Sequence, residues 1–96
     1  TFHHALANEH DFFPSLTGLV HFSGVSNIYN NIELKDDHRS IVENNDMIGN
    51  LNQMKTLLNS NYKGHFSFEP FSNVLIKNKK IFKTVSNSLN FISSNI

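Results

Sequence analysis

Two short stretches rich in β-branched and aromatic residues stand out in the pattern of apolar and polar positions, at residues 19–25 and 65–71. Their length and composition predict β-strands. Because alternate residues of a strand share a face, Phe66 and Phe68 would point to one side of the second strand and Glu69 to the other. Each predicted strand therefore has one apolar face and one face that carries polar chemistry.

Polar side chains stand at matching positions near the C-terminal ends of both predicted strands. Pro70 cannot donate a ladder hydrogen bond, so the second strand should end directly after Glu69. In the first strand, His21 lies on the face opposite Val20 and Phe22. An imidazole and a carboxylate brought together at such a sheet edge could form half of a divalent metal site.

Two longer segments show the period of amphipathic helices. In the first, at 50–59, Asn50 would cap the helix and Gln53 would complete a capping box. Its apolar face would consist of Met47, Leu51, Met54 and Leu58. The second covers 78–94, and its apolar face would consist of Ile81, Val85, Leu89 and Ile92. A short helix is also predicted at 4–9, and residues 26–45 lack a sustained period and are predicted to form a long loop.

Strands that alternate with helices predict an α/β fold with a parallel sheet. Two strands cannot form a stable parallel sheet alone, because such sheets have neighbours in their plane and are covered on both faces. The 96 residues are therefore expected to form a single segment of a larger fold. The remainder of that fold, or another copy of the chain, would complete it.

Composition narrows the class of protein without naming a function. The chain has no cysteine, which excludes disulfides and thiolate metal sites and fits a cytoplasmic location. It also has no apolar run of the roughly 20 residues that cross a bilayer, so no membrane partner is expected. The zero net charge argues against nucleic acid, and the four lysines between positions 77 and 83 are interpreted as a solvated face.

Several short motifs occur together in an order that resembles one family. They are residues 1–7, 19–25 and 37–39, Asp46 with Gly49, Asn50 and Gln53, and residues 62–71. This order resembles the C-terminal part of the xylose-isomerase-like TIM barrels, the sugar phosphate isomerase/epimerase family that includes inosose isomerases and ketose 3-epimerases. The resemblance implies that residues 1–96 form the C-terminal quarter to third of a (β/α)8 barrel.

The resemblance also implies a site and a reaction. The family holds one divalent ion (manganese, magnesium, cobalt or zinc) on Glu, Asp, His and Glu at the ends of its last four strands. His21 matches the histidine and Glu69 the last glutamate, and the aspartate would directly precede Thr1. The substrate would be a sugar or polyol ketone that reacts through an enediolate, with Glu69 as both metal ligand and acid/base. His3 and Arg39 would bind substrate oxygens. The fragment alone would lack two ligands and should be inactive.

Two alternative functions stay open. Asp36 and His38, spaced Asp-x-His, resemble a ligand pair of endonuclease IV, a multi-zinc enzyme that cuts DNA at abasic sites, in which His3 would be a further ligand. Against this, residues 40–45 replace the expected glycine-rich continuation, and the chain is not basic. The second alternative is that the chain acts alone as a non-catalytic binding or assembly piece.

Each site residue also has a structural interpretation. His21 could be a core histidine bonded to a backbone carbonyl, and Glu69 could cap a neighbouring loop. His4 rather than His3 could point inward. Arg39 could pair on the surface with one of the two aspartates that precede it.

Overall fold

A computed structural model describes residues 1–9 and 11–96 of the chain. Its centre is a pair of parallel strands, β1 and β2, with Val20 opposite Phe66 and Phe22 opposite Phe68. The strands are β1 (Val20–Phe22) and β2 (Phe66–Phe68). The helices are α1 (Phe2–Leu6), α2 (Asn50–Asn59), α3 (Asn73–Ile76) and α4 (Ile81–Asn95), and single 3₁₀ turns lie at Pro14–Leu16, Asn27–Tyr29 and Asp36–His38. The predicted α/β class and its parallel strand pair are thus confirmed.

Both strands are shorter than predicted because the backbone changes partners at their ends. After β1, Gly24 leaves the sheet and exchanges two backbone hydrogen bonds of 2.8 Å with Ser40. A side chain at Gly24 would collide with the carbonyl oxygen of Ile41, so only glycine permits this close approach. Beyond β2, the Glu69 nitrogen still donates to the Phe22 oxygen at 2.8 Å, and Pro70 then ends the pairing as predicted.

The main core lies between the strand pair and the helices α2 and α4. Its buried members are Phe22, Val42, Met54 and Ile92. Phe66 and Phe68 pack against this cluster, so the apolar face of β2 contacts the two helices as its alternation predicts. The buried side of α2 consists of Asn50, Met54 and Leu57, whereas the predicted Leu58 is exposed.

Helix α2 has the predicted bounds, but the predicted capping box is wrong. Asn50 is the first helical residue, and the N-cap is Gly49, which has a left-handed φ of 71°. The Asp46 carboxylate accepts the Asn50 backbone N–H at 2.8 Å and the Asn50 side-chain amide at 3.0 Å. Gln53 donates instead to the carbonyl oxygens of Thr1 and Ile48. An aspartate four residues upstream thus satisfies the start of the helix.

Helices α1 and α4 differ from their predicted bounds of 4–9 and 78–94. Helix α1 ends before the predicted segment does, and Asn8 beyond it has a left-handed φ of 53°. Before α4, the short helix α3 was not predicted, and the Ser72 hydroxyl caps it by accepting the Leu75 N–H. Within the described residues, no helix is long and apolar enough to cross a membrane.

Candidate functional site

His21 and Glu69 lie side by side at the C-terminal end of the strand pair. His21 stands opposite Ser67 in the register, and Glu69 is two residues further along the same face of β2. The His21 Nδ1 is 3.2 Å from the Glu69 Oε2, and the two side chains are 47% and 38% exposed. The structure therefore brings the two predicted metal ligands together, and both side chains stay partly exposed. Neither is a core residue satisfied by the backbone.

Arg39 enters this site from the loop between β1 and α2. Its Nη2 donates to the Glu69 Oε2 at 2.8 Å, and its Nη1 donates to the Asp36 Oδ1 at 3.2 Å. Its Nε donates to the hydroxyl of Ser23 at 2.9 Å. The Arg39 side chain is only 4% exposed. Both ends of its planar donor fork, and its Nε, are thus engaged within the chain.

Aromatic rings hold the Arg39 guanidinium from two sides. Its central carbon lies 5.1 Å from the ring centroid of Phe2 and 4.7 Å from that of Phe71, within cation–π range. The Arg39 carbonyl oxygen also accepts the backbone N–H groups of Phe71 and Ser72. The arginine therefore ties the chain after β2 to the loop before α2. Its assignment to a substrate oxygen stays a prediction.

The charge on Glu69 is set mainly by Arg39. The hydrogen bond from Arg39 holds the pKa of the Glu69 carboxyl below its ordinary value of 4.5, against an opposing effect of desolvation, and the nearby His21 lowers it further. Glu69 is accordingly a carboxylate at neutral pH. A lowered pKa suits a metal ligand and makes the carboxylate a weaker proton acceptor.

His3 lies at the rim of the site, beside Asp36 and Phe2. The His3 Nε2 is 4.0 Å from the Asp36 Oδ1, and both side chains are exposed. His4 turns elsewhere, because its ring stacks on Phe12 and its Nε2 is 3.2 Å from the Asp11 carbonyl oxygen. Of the two adjacent histidines, His3 is therefore the one beside the cluster. Its role toward a substrate stays a prediction.

Ser23 was not predicted as a site residue, and Asp36 was predicted only as a ligand of the nuclease alternative or as a surface partner of Arg39. Ser23 lies two residues after His21, on the same predicted face, so the strand period could have identified it. Asp36 stands three residues before Arg39, and this spacing is the sequence signal for its ion pair. Asp36 links His3 to Arg39, and Arg39 links Asp36 to Glu69. The contacts thus form one chain of charged and polar groups.

The residues of the nuclease alternative do not form a ligand pair. The His38 ring stacks on Tyr29 with centroids 4.5 Å apart, and its Nδ1 accepts the Lys35 backbone N–H at 3.0 Å. Asp36 is paired with Arg39 instead. Across residues 1–9 and 11–96, no three His, Asp or Glu side chains lie close enough together to hold one metal ion.

The donor set of the site fits half of a divalent metal centre. An imidazole nitrogen and a carboxylate oxygen converge from adjacent strands, as mixed nitrogen and oxygen sites require. The second-sphere contacts also suit this purpose, because Arg39 orients the carboxylate and is itself fixed by Ser23 and Asp36. Within the described residues, no third His, Asp or Glu lies close enough to complete such a set.

One solved structure is similar to this chain over part of its own length. The chain is similar to part of the solved structure of a xylose isomerase domain-containing protein from Salmonella typhimurium LT2, with a TM-score of 0.85 and 30% identity. The match covers 96% of this chain and 37% of that protein. No protein-family model matches the chain, and no curated protein does.

Proposed function

We propose that this chain is the C-terminal part of a (β/α)8 barrel that works as a metal-dependent isomerase or epimerase of sugars or polyol ketones. The observation that carries the proposal is the contact between His21 and Glu69 at the ends of adjacent parallel strands. In barrels of this kind, active sites lie at that end of the sheet. The similarity to part of a xylose isomerase-like domain supports the same class of reaction.

The free edge of β1 supports a neighbouring strand on that side. The Val20 nitrogen and the Phe22 oxygen are bonded toward β2, so the His21 carbonyl points to the opposite edge. There it accepts a hydrogen bond of 2.8 Å from the Thr1 nitrogen. The surface along this edge is mostly apolar and includes the exposed Leu16 and Leu19. A further strand and its helix would cover it.

Helix α4 has an uncovered apolar side as well. Its Phe82 and Leu89 lie seven residues apart and are both exposed. Such a stripe is typical of a helix that packs against another helix. Exposed apolar surfaces at the edge of β1 and on α4 are expected for one segment of a closed barrel. The partner we propose is the remainder of the barrel, or else a second copy of the chain.

His21 and Glu69 would hold a divalent ion, which would supply Lewis-acid polarisation of the substrate carbonyl. Glu69 takes the proton from the adjacent carbon and later returns a proton to the enediolate. Arg39 keeps the carboxylate ionised and directed at the substrate. His3 would reach a substrate oxygen from the exposed rim. The cytoplasmic location expected from the sequence stays a prediction.

Metal binding by the chain itself tests the ligand assignment. We expect Mn²⁺, followed by electron paramagnetic resonance, to bind weakly, with an affinity that falls about tenfold or more in His21→Ala and Glu69→Gln. His65→Ala is the matched control, because that exposed histidine contributes only its backbone oxygen to the structure. Equal binding by all variants would remove the metal site from the proposal.

A chimera tests the reaction. The chain would replace the matching 37% of the Salmonella protein, which the TM-score of 0.85 makes feasible. With Mn²⁺ present, we expect the hydrogen next to the carbonyl of a ketose or polyol ketone to exchange with deuterated solvent, as seen by proton NMR, and Glu69→Gln to abolish this exchange. If the chimera folds and binds Mn²⁺ but no tested ketose or polyol ketone exchanges this hydrogen, the proposed isomerase activity is refuted. Cleavage of abasic DNA would favour the nuclease instead.

The non-catalytic alternative makes a separate prediction for the isolated chain. A binding or assembly piece should melt cooperatively, at a midpoint that neither metal nor chelator shifts. Circular dichroism with and without Mn²⁺ measures this directly. For a fragment of the enzyme, we expect Mn²⁺ to raise the melting midpoint slightly. This rise should be absent in Glu69→Gln.

A further inference from the structure

Asp46 and Asn50 form a polar pair at the start of α2 that contacts the segment after β1. Asn50 is fully buried. The Asp46 Oδ2 accepts the Asn50 side-chain amide at 3.0 Å and the Asn50 backbone N–H at 2.8 Å. The Asp46 Oδ1 accepts the Val25 N–H at 3.0 Å. One carboxylate therefore joins α2 to the segment that leaves β1.

The Asn50 side chain uses both of its donors and not its acceptor. One amide hydrogen goes to Asp46, and the other goes to the Ser23 carbonyl oxygen at 2.8 Å. The opposite orientation of the amide would place its oxygen against these two oxygens. Within the described residues, the Asn50 side-chain oxygen has no partner, which costs stability in a buried position. Core packing alone would favour leucine here, which has nearly the same size, so the two donors must offset this cost.

The contact with Ser23 leads to Glu69. The Ser23 hydroxyl accepts the Arg39 Nε–H at 2.9 Å, and the Arg39 Nη2 donates to the Glu69 Oε2 at 2.8 Å. Ser23 has no exposed surface and Arg39 is 4% exposed, so neither side chain turns toward water. Three hydrogen bonds thus connect the start of α2 to the carboxylate.

The Ser23 carbonyl depends on Asn50 more than its neighbours do. Gly24 is held by its exchange of backbone hydrogen bonds with Ser40, and the Val25 oxygen accepts the Met47 N–H at 2.8 Å. In the part of the chain that the structure describes, the Asn50 amide is the only donor to the Ser23 carbonyl. Because this amide holds the Ser23 backbone, it also fixes the place where the Ser23 hydroxyl meets Arg39.

We propose that Asn50 is a positioning residue of the site at His21 and Glu69. Asn50 holds Ser23, Ser23 holds Arg39, and Arg39 directs the Glu69 carboxylate. The inference rests on the proposed function, in which Glu69 binds the metal and moves the substrate proton. Because Asn50 is fully buried, it acts without touching the substrate. Replacing residues that hold a ligand in place costs about 10–100-fold in metal affinity or activity.

The Arg39 Nε–H group reports this route without any reaction. In the ¹⁵N-labelled chimera, we expect its NMR signal to exchange slowly with solvent, because the group is buried and hydrogen-bonded. Asn50→Leu should speed this exchange about tenfold or more. Ser88→Ala is the matched control, because it removes buried hydrogen bonds to Val42 and should change the exchange less than about twofold. Unchanged exchange in Asn50→Leu, or an equal change in Ser88→Ala, would overturn the proposal.

The kinetics of deuterium exchange into the substrate separate positioning from stability. Asn50→Leu should lower kcat per folded, Mn²⁺-loaded chimera about tenfold and change KM less than about twofold. Ser88→Ala should leave kcat unchanged. In a Ser23→Ala background, which already lacks the hydroxyl, Asn50→Leu should lower kcat by less than about twofold. An undiminished tenfold effect in that background would refute the route through Ser23.

A second variant decides the question if Asn50→Leu does not fold. Asp46→Asn keeps the shape of the side chain but weakens its hold on the Asn50 amide, and it should speed the Arg39 Nε–H exchange several-fold. No change in that variant would refute the role of the pair. A chimera that is inactive toward every substrate, but in which Asn50→Leu still frees the Arg39 Nε–H, would refute the proposed reaction and support the route from Asn50 to Arg39.

Discussion

Replacement of Arg39 by methionine should destabilise the chain by about 3 kcal/mol. The hydrogen bond to Ser23 is buried and is worth about 1 kcal/mol. The bond to Glu69 is charge-assisted, but the carboxylate is 38% exposed, so we count only about 1 kcal/mol for it. The contacts with Phe2 and Phe71 contribute about 0.5 kcal/mol each. Methionine fills the same space and keeps the apolar packing.

Urea unfolding followed by circular dichroism measures this loss. Because two strands alone do not form a stable parallel sheet, the loss is measured in the chimera that supplies the rest of the barrel, as the difference in unfolding free energy between Arg39→Met and the unaltered sequence. The control is Asp36→Asn, which removes the more exposed partner of Arg39 and should cost less than about 0.5 kcal/mol. In Arg39→Met, carboxyl NMR should also show the pKa of Glu69 rising toward its ordinary value.

The opposite results would refute this account of Arg39. A loss below about 1 kcal/mol, or a loss no larger than that of Asp36→Asn, would mean that the arginine does not connect the strand ends. An unchanged Glu69 pKa would mean that its hydrogen bond does not control that carboxylate. In either case Arg39 would be free for the substrate role that the resemblance implies.

Three further changes follow from single contacts. Ser88→Ala removes a buried hydroxyl that both accepts the Val42 N–H at 3.0 Å and donates to the Val42 oxygen at 2.7 Å, and should lower the unfolding free energy by about 2 kcal/mol in urea. Gly24→Ala forces a methyl group into a backbone carbonyl and should cost about 2–3 kcal/mol, whereas Gly18→Ala, with nothing within 4 Å, should change the midpoint little. The folded-state pKa of Glu69 lies below 4.5, so the stabilisation from its ionised form is present above that pH and is lost as the pH falls through the lowered pKa. Glu69→Gln should therefore reduce the loss of unfolding free energy between neutral and acidic pH.

The sequence predicted the elements better than it predicted the contacts between them. Alternation and period placed both strands and helix α2, because these patterns report which side of an element is buried. The start of α2 was predicted wrongly, since the carboxylate that satisfies it belongs to Asp46, four residues upstream. The four-residue helix α3 is too short to show a period, although Ser72 is a recognisable cap.

The sequence predicted that His21 and Glu69 lie together, but it did not predict the residues that surround them. His21 and Glu69 could be placed together because both stand at strand ends of known direction. The burial of Arg39 could not be foreseen, because it depends on two aromatic rings from distant parts of the chain, those of Phe2 and Phe71. A charged residue in a polar loop is ordinarily exposed. Only the tertiary packing buries the Arg39 side chain.

The charge balance of the cluster explains why this chain should bind a metal weakly by itself. Arg39 lies 2.8 Å from the very carboxylate oxygen of Glu69 that contacts His21, so it largely neutralises the ligand that a divalent ion needs. Asp36 returns one negative charge, but it is 63% exposed and shielded by water. The resemblance implies an aspartate and a glutamate from neighbouring strands. Two added carboxylates would outweigh the arginine and leave it as the group that orients Glu69. We therefore expect the chimera to bind Mn²⁺ far more tightly than the chain alone.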